Sequence, residues 1–342
     1  MAVPISGPGQ QGSSDDRRSG PRDKQQKLSA PGLKGKSYRQ DSGGMIEIVD
    51  LFCGIGGVAE GSPATFRVTH AIDIDRRVVP IYRTNHGVTP RAGTLDSVRK
   101  IPDADLWWLS PPCQPYTTRG KRRAEHDPRS AALSNLLDRV AEQRPRLLVL
   151  ENVPGFAGSF HHQRLREVLE RRGYGIREDL ICPSQLGIPM RRRRFYLRAA
   201  LHSDVANLDT VGVRKPSPRL RDFVDPANSP PPSLLVPDEQ RERFGRAMRI
   251  VDPGDPAAIV GCFTAAYGSS PVGAGSYLRM GDGRWRRFSP GEIGRLLGFR
   301  GGFYWPDDLS VRARYRLLGN SLAVDVVRAI LESLRQGNRE GR

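Results

Sequence analysis

Cysteine is scarce in this chain, and its four cysteines are far apart. Cys53, Cys113, Cys182 and Cys262 form no CxxC pair, and no group of histidines lies near any of them. Structural zinc sites and disulfide frameworks need closely spaced cysteines or histidines. The spacing argues against both, so we expect four free thiols and no metal.

Long apolar segments are also missing. No run of about eighteen apolar residues occurs, and the first twenty residues lack the apolar stretch of a signal peptide. We therefore expect a cytoplasmic protein without a membrane span. With 342 residues, 37% of them hydrophobic, the chain is long enough to bury a sizeable core and to form two domains.

Acidic residues are too few to balance the basic ones. The chain has 54 Lys and Arg against 37 Asp and Glu, a formal charge of +17. Such a surplus favours a polyanionic partner, although an arginine-rich protein without such a partner has the same composition. Residues 1–44 carry eight Lys or Arg and four Asp but few large apolar residues. They predict a disordered basic tail, either a nucleic-acid-binding arm or a solvated extension.

A glycine-rich turn follows the first apolar segment. Residues 46–52 predict a buried strand, the glycines of "GIGG" at 54–57 a tight turn, and Val58 the approximate start of a helix. Glycines let backbone approach a nucleotide-like ligand closely. Asp73, about twenty residues on at the end of the next apolar strand, is placed to accept ribose hydroxyls. The pattern predicts an adenosine-type cofactor site.

Strands and helices continue to alternate along the chain. Residues 103–110 predict a buried strand, 146–151 predict a second one that ends at Glu151, and 130–143 predict a helix between them. This alternation predicts an α/β fold with a Rossmann-like, doubly wound, mostly parallel sheet. Ligands bind beyond the carboxyl ends of such strands. The glycine turn, Asp73, Cys113 and Glu151 all follow strand ends, so we expect them at one edge.

Cys113 stands on a proline-rich turn, in "SPPCQPYT". A free thiol beside a cofactor site can act as a nucleophile, and Glu151 can protonate a ring nitrogen. Thiolate addition to carbon 6 of cytosine, assisted by a proton at N3, makes carbon 5 nucleophilic enough to accept a methyl group. The alternative for Cys113 is a small buried apolar residue.

Six blocks of the sequence together resemble one enzyme family. They occur, in order, as "DLFCGIGG", "SPPCQPYT", "LENVPGF", "LGIPMRRRRFYL", "RRFSPGEIGRLLGF" and "RYRLLGNSLAVDVV". These strings are similar to the conserved blocks of the cytosine-C5 methyltransferases, and the likeness extends from residue 46 to about 330. The resemblance implies a class I methyltransferase fold, S-adenosyl-L-methionine as cofactor and nucleic acid as substrate.

The resemblance also implies roles for particular residues. Cys113 would be the nucleophile, Glu151 would hold cytosine N3, and Arg192 and Arg194 would shape the cytosine pocket. The cofactor site would be formed by Phe52, Gly54, Ile55, Gly56, Gly57, Asp73, Ile74, Leu95, Asp96, Ser110, Asn320 and Ser321.

Two features near the arginines qualify that assignment. The four-arginine run at 191–194 could instead be a localisation signal or a solvated surface. Met190 occupies a place where the family usually has Gln or Asn. A thioether cannot supply the hydrogen bonds of that amide, so the orientation of the arginines would have to come from other groups.

The later part of the chain changes in composition. Beyond residue 199 it is rich in Pro and Ser, and the resemblance implies that 200–305 form a smaller target-recognition domain. Residues 45–199 and 306–342 would then form the catalytic domain. Ser289 and Glu292 predict a capping box that begins a helix, and 321–336 predict an amphipathic helix on the sheet.

The polymer substrate is less sharply indicated. "CFTAAYG" at 262–268 and "GAGSYL" at 273–278 resemble the family branch that methylates an anticodon-loop cytosine of aspartate tRNA. Ala265 and Ala266 depart from that branch, which usually has Lys-Gly there. Duplex DNA is the alternative, and an inactive nucleic-acid-binding homologue is a further one. Cys262 is expected to pack or to touch substrate, and the protein to be a monomer.

Overall fold

The structure is a computed structural model that describes residues 44–113, 116, 128–208, 218–226 and 230–336. All but the last residue of the predicted basic tail at 1–44 lies outside these ranges. Within the described residues, none of the helices is long and apolar enough to cross a membrane. The same residues contain no cluster of three or more side chains able to ligate a metal.

Two sheets organise the described chain. The strands are β1 Ile46–Leu51, β2 Phe66–Asp73, β3 Arg91–Ala92, β4 Leu106–Leu109, β5 Leu147–Asn152, β6 Tyr174–Ile181, β7 Arg194–Leu201, β8 Arg249–Val251, β9 Ser276–Arg279 and β10 Trp285–Arg287. The larger sheet has the order β3-β2-β1-β4-β5-β7-β6. Its first five strands run parallel, whereas β7 is antiparallel to both β5 and β6. The prediction of a mostly parallel sheet is confirmed.

Eight α-helices accompany these strands in the described residues. They are α1 Gly57–Gly61, α2 Val78–His86, α3 Pro128–Gln143, α4 Phe160–Arg171, α5 Asp238–Phe244, α6 Pro290–Leu297, α7 Val311–Gly319 and α8 Val324–Gln336. Apolar residues of α1, α2 and α8 share one core with one face of the large sheet. Those of α3 and α4 share a second core with its other face. Helices on both faces make the sheet doubly wound, as predicted.

The central strands explain why both faces are covered. All four residues of β4, "LWWL", and all six of β5, "LLVLEN", are buried. In β4, Leu106 and Trp108 belong to the first core and Trp107 and Leu109 to the second. Successive side chains of a strand point to opposite faces, so a continuous apolar run requires packing on both sides.

The smaller sheet lies within the segment predicted to recognise the target. Its order is β10-β9-β8, with β9 parallel to β8 and antiparallel to β10. A bridge between Met190 and Val260 ties this region to the chain preceding β7. The boundaries at 199/200 and 305/306 stay predictions.

Two predicted helix starts have different outcomes. Ser289 Oγ accepts the Glu292 N–H at 3.1 Å, and Glu292 Oε2 accepts the Ser289 N–H at 2.7 Å. The predicted capping box of α6 is therefore present. The last helix begins at Val324, not at Ser321 as predicted. The Ser321 N–H bonds to the carbonyl of Leu318, and the Ser321 carbonyl accepts from Arg192. These bonds hold Ser321 in a turn instead of a first helical turn.

Candidate active site

The turn after β1 is built on left-handed backbone. Phe52 (φ 63°), Gly54 (φ 52°) and Gly56 (φ 93°) all lie in that region, which costs strain for a phenylalanine. The N–H groups of Phe52 and Cys53 both donate to the Ile72 carbonyl, at 2.9 and 3.1 Å. The predicted glycine turn is thus held against the end of β2.

Asp73 ends β2 and bonds to this turn. Its Oδ2 accepts the Gly54 N–H at 2.8 Å, and its Oδ1 accepts the Asp75 N–H at 2.8 Å. Burial raises the pKa of this carboxyl, while the two backbone bonds act in the opposite direction. Ile74, beside it, is 69% exposed. The structure therefore places a fixed carboxyl next to an open apolar surface.

Three more predicted cofactor residues lie along the neighbouring strand ends. Leu95 is buried, and Asp96 Oδ1 accepts a hydrogen bond from Asn135 Nδ2 at 2.6 Å. Ser110 Oγ accepts from Trp108 Nε1 at 3.1 Å. Asn135 belongs to α3, and its spacing from Asp96 offered no signal in the sequence. The side chains of Asp96 and Ser110 are both oriented by protein partners.

Cys113 follows β4 on a turn that is anchored at both ends. The Cys113 carbonyl accepts the Tyr116 N–H at 3.0 Å. Upstream, the Pro111 carbonyl accepts from Asn152 Nδ2 at 3.3 Å. Neither anchor was predicted, although Asn152 directly follows Glu151 within "LENV". The thiol is half-buried at the carboxyl edge of the sheet, as the sequence predicts.

The charges of Glu151, Arg192 and Arg194 act on the Cys113 thiol. Glu151 is 8% exposed, and its Oε1 lies 3.3 Å from Arg194 Nε. Burial raises the pKa of Glu151 against the opposing charges of Arg194 and Arg192. Burial also raises the pKa of Cys113, with Arg194 acting to lower it and Glu151 to raise it. Burial therefore shifts both groups towards their protonated forms, while the arginine charges act against that shift.

Arg192 is fixed by backbone carbonyls from distant parts of the chain. It is 3% exposed and donates to Phe263 O at 2.9 Å and to Gly319 O at 3.0 Å. A third bond goes to Ser321 O. Charge-assisted bonds to buried carbonyls are strong and directional. Arg192 therefore joins three segments that the sequence separates widely.

The four-arginine run alternates between two environments. Arg191 and Arg193 are exposed, whereas Arg192 is buried and Arg194 is half-buried. Successive side chains of extended chain point in opposite directions. The interpretation as a solvated surface thus fits Arg191 and Arg193, whereas the role of Arg192 and Arg194 in a cytosine pocket stays a prediction.

Met190 packs in the core directly before the four-arginine run. Its side chain is completely buried in the first core, and its neighbour Arg191 donates its N–H to the Val260 carbonyl at 2.9 Å. The backbone of Val260 and the carbonyls on Arg192 supply the orientation that a side-chain amide at position 190 could give.

Cys262 lies between the two pocket arginines. Its Sγ is 3.5 Å from Arg192 Nη1 and 3.8 Å from Arg194 Nη2. Burial acts to raise the pKa of this thiol, but the two guanidinium groups outweigh it and hold the pKa below its usual value. The prediction that Cys262 packs or touches substrate did not include this charged setting, because nothing in the sequence relates Cys262 to the arginines.

The turn that contains Asn320 and Ser321 packs closely against the backbone of Thr264 and Ala265. A methyl group at Gly319 would collide with the backbone of Thr264 and Ala265. The "CFTAAYG" stretch therefore lies directly against the turn that holds Asn320, which is exposed, and Ser321, which is buried. Through the Ser321 carbonyl this turn also contacts Arg192. The predicted catalytic and cofactor residues are thereby connected.

The sequence is similar to nucleic-acid methyltransferases of two kinds. A family model described as "C-5 cytosine-specific DNA methylase" matches residues 46–241. The tRNA (cytosine(38)-C(5))-methyltransferase of Schizosaccharomyces pombe is 30% identical over 323 residues, covering 84% of this chain and 96% of the relative. The type II methyltransferase M.NlaX of Neisseria lactamica is 28% identical over 312 residues, covering 85% of this chain and 96% of the relative.

The fold is similar to a solved relative as well. The crystal structure of the S. pombe Dnmt2 methyltransferase superimposes with a TM-score of 0.75 at 30% identity. The match covers 84% of this chain and 98% of that one. The two chains therefore share their fold along most of their lengths.

Proposed function

This chain belongs to the C-5 cytosine-specific methyltransferase family, and on that basis we propose that the polymer it methylates is tRNA, at a cytosine of the anticodon loop. The activity, methyl transfer to carbon 5 of cytosine in nucleic acid, is that of the family. The observation that carries the choice of polymer is the 30% identity to the S. pombe tRNA enzyme over nearly the whole of its length. A tRNA substrate would place the enzyme in the cytoplasm.

The stretch that resembles the tRNA branch lies at the reactive centre. Cys262, its first residue, contacts Arg192 and Arg194, and Phe263 supplies a carbonyl to Arg192. Thr264 and Ala265 pack against Gly319. Residues in these positions are close enough to the cytosine pocket to distinguish the nucleotides around the target base.

A loop cytosine suits this architecture energetically. Bases in an RNA loop are already unstacked, whereas a duplex base must be flipped out at a cost of a few kcal/mol. Exposed arginines near the pocket offer contacts for the phosphates. Arg191 and Arg193 are exposed and alternate along the chain with Arg192 and Arg194, and Arg312 lies beside Gly268 at the end of the "CFTAAYG" stretch.

S-adenosyl-L-methionine fits the side chains at the cofactor edge. The Asp73 oxygens each accept one backbone bond, and a carboxylate oxygen can accept a second one from a ribose hydroxyl. Phe52, Ile74 and Leu95 would bound the adenine, and Asp96 would meet its polar edge. Gly54 to Gly57, Ser110, Asn320 and Ser321 would complete the site. When bound, the cofactor supplies an activated methyl group.

The chain's own groups prepare the cytosine to accept that methyl group. We assign Cys113 Sγ to attack carbon 6, forming a sulfur–carbon bond while Glu151 gives its proton to N3. Burial raises the pKa of Glu151, which is the direction of shift that a general acid needs. The attacking Sγ is the thiolate, formed when the Cys113 thiol gives its proton to water. After carbon 5 has gained the methyl group, water takes the carbon-5 proton, the carbon 5–carbon 6 double bond forms and the sulfur–carbon bond breaks. N3 returns its proton to Glu151, so the ring, the thiolate and the carboxyl are all restored. Arg192 and Arg194 would hold the base in place.

Duplex DNA is the second candidate substrate. M.NlaX, a type II methyltransferase, is 28% identical over 96% of its own length. The same catalytic residues would serve on either polymer, because a flipped duplex base and a loop base present the same ring.

Labelled S-adenosylmethionine distinguishes the two substrates. We expect label to enter an aspartate-tRNA anticodon stem-loop with a cytosine at the position named for the relatives, 38. It should not enter the same stem-loop with uracil at that position, since uracil carries a proton on N3 and lacks the exocyclic amine. Cys113→Ala should abolish labelling and retain cofactor binding. Labelling of unmethylated duplex DNA without labelling of any tRNA would refute the proposed polymer.

A further inference from the structure

The downstream end of the Cys113 turn is held by Tyr116. Besides the bond from its N–H to the Cys113 carbonyl, the Tyr116 ring packs edge-on against Phe156, with centroids 5.0 Å apart. Its carbonyl lies so close to Gly155 that a methyl group there would collide with it. Tyr116 is therefore seated on the segment that follows β5.

The phenol of Tyr116 bonds to a histidine that the catalytic scheme does not use. Tyr116 Oη lies 2.8 Å from His161 Nδ1, and His161 Nε2 lies 3.3 Å from Ser134 Oγ. His161 is in the first turn of α4 and Ser134 is in α3. A neutral imidazole has one N–H and one lone pair, so it can bond to both hydroxyls. The chain Tyr116–His161–Ser134 thus ties the cysteine turn to two helices.

The hydrogen bond between Tyr116 and His161 is buried. His161 is 2% exposed and Tyr116 is 8% exposed. A buried polar group that loses its partner is costly, so both side chains are held in the arrangement that satisfies them. The adjacent His162 has a different role, because it accepts the Gly158 N–H at 3.0 Å and bonds Glu178 at 2.9 Å.

We propose that His161 is a positioning residue for methyl transfer. Through its bond to the Tyr116 hydroxyl, it fixes the direction in which the Cys113 side chain points. The inference rests on the proposed role of Cys113 as nucleophile. Reacting atoms must meet within a narrow range of distance and angle, and a displacement of about 1 Å can lower a rate by roughly 100-fold. Loss of the His161 bond should therefore lower kcat and leave KM nearly unchanged.

Paired substitutions separate the two ring nitrogens. Tyr116→Phe removes only the hydroxyl, and His161→Gln keeps a polar atom near Nε2 but none near Nδ1. Both should lower kcat by roughly 10- to 100-fold, with KM and cofactor affinity within about threefold of wild type. His161→Asn places an amide near Nδ1 and should restore kcat to within about threefold. His162→Asn and His162→Gln are the matched controls and should leave kcat within about threefold.

A second readout does not depend on the polymer. Peptide mass spectrometry measures the rate at which iodoacetamide alkylates Cys113. This rate should differ from that of the wild type in Tyr116→Phe and His161→Gln, and it should return to the wild-type value in His161→Asn. A wild-type kcat in His161→Gln would overturn the proposal. An equal loss of kcat in the Asn and Gln variants of His161 and of His162 would overturn it as well. Full activity of Cys113→Ala would instead refute the proposed nucleophile, whatever the His161 variants show.

Discussion

Replacing Arg192 by lysine should weaken both the fold and the cofactor site. The guanidinium of Arg192 bonds to the carbonyls of Phe263, Gly319 and Ser321. A lysine ammonium is a single donor centre and cannot reach acceptors spread around a planar fork. We expect Arg192→Lys to keep the charge and one of the three bonds.

The number of lost bonds sets the size of the effect. A hydrogen bond to a charged group contributes about 1.5–3 kcal/mol, so two lost bonds correspond to about 3–6 kcal/mol before relaxation. We expect the free energy of unfolding to fall by about 3 kcal/mol, a large part of the roughly 5–15 kcal/mol typical of a domain. Cofactor affinity should fall as well, since the Gly319 and Ser321 carbonyls flank Asn320, and Asn320 and Ser321 belong to the proposed cofactor site.

Urea denaturation followed by tryptophan fluorescence measures the first effect, and equilibrium binding of S-adenosylmethionine measures the second. Arg194→Lys is the matched control, because the protein groups that Arg194 contacts are Glu151, Cys262 and the Arg193 carbonyl. It should lower stability less than Arg192→Lys does, because the lysine keeps a positive charge opposite the buried Glu151 carboxyl. A loss below about 1 kcal/mol in Arg192→Lys would show that these carbonyls do not depend on the guanidinium.

Three further outcomes follow from the site. Glu151→Gln should lower the methyl-transfer rate by roughly 10²–10⁴-fold in single-turnover assays, because the amide cannot give a proton to N3; a loss below about tenfold would refute that role. Burial raises the pKa of Cys113, whereas two arginines lower that of Cys262, so Cys262 should become alkylated at lower pH; peptide-resolved labelling in the opposite order would contradict this. Arg312→Gln should reduce the salt dependence of RNA binding by about one phosphate contact, and an unchanged slope would exclude it as a contact.

The sequence predicts much of this fold because its signals are local. The residues of β1, the glycine turn and the capping box of α6 each depend on neighbours within a few positions. Their predicted positions agree with the structure to within a residue or two. The prediction that α8 starts at Ser321 was wrong for a physical reason, because the Ser321 carbonyl bonds to Arg192, 129 residues away. The pattern of neighbouring residues in the sequence gives no information about such a distant partner.

The candidate site shows the same limit. Strand ends predict that Asp73, Cys113 and Glu151 lie at one edge, because the carboxyl ends of parallel strands meet there. Nothing local indicates that Cys262 lies between two arginines, or that Tyr116 bonds to His161. These contacts join residues 45 to 70 positions apart, and they exist only once the sheet and its helices have assembled.

The packing of α8 has a consequence for how the protein is made. A methyl group at Gly61 of α1 would lie 2.8 Å from Val327 of α8, and α8 supplies much of the core on that face of the large sheet. During synthesis β1 and α1 leave the ribosome nearly 300 residues before α8. Their apolar surface must therefore stay uncovered, or be shielded by a chaperone, until the ribosome has released residues 324–336. One face of the first strand made is thus among the last surfaces to be buried, whereas its other face packs in the second core without α8.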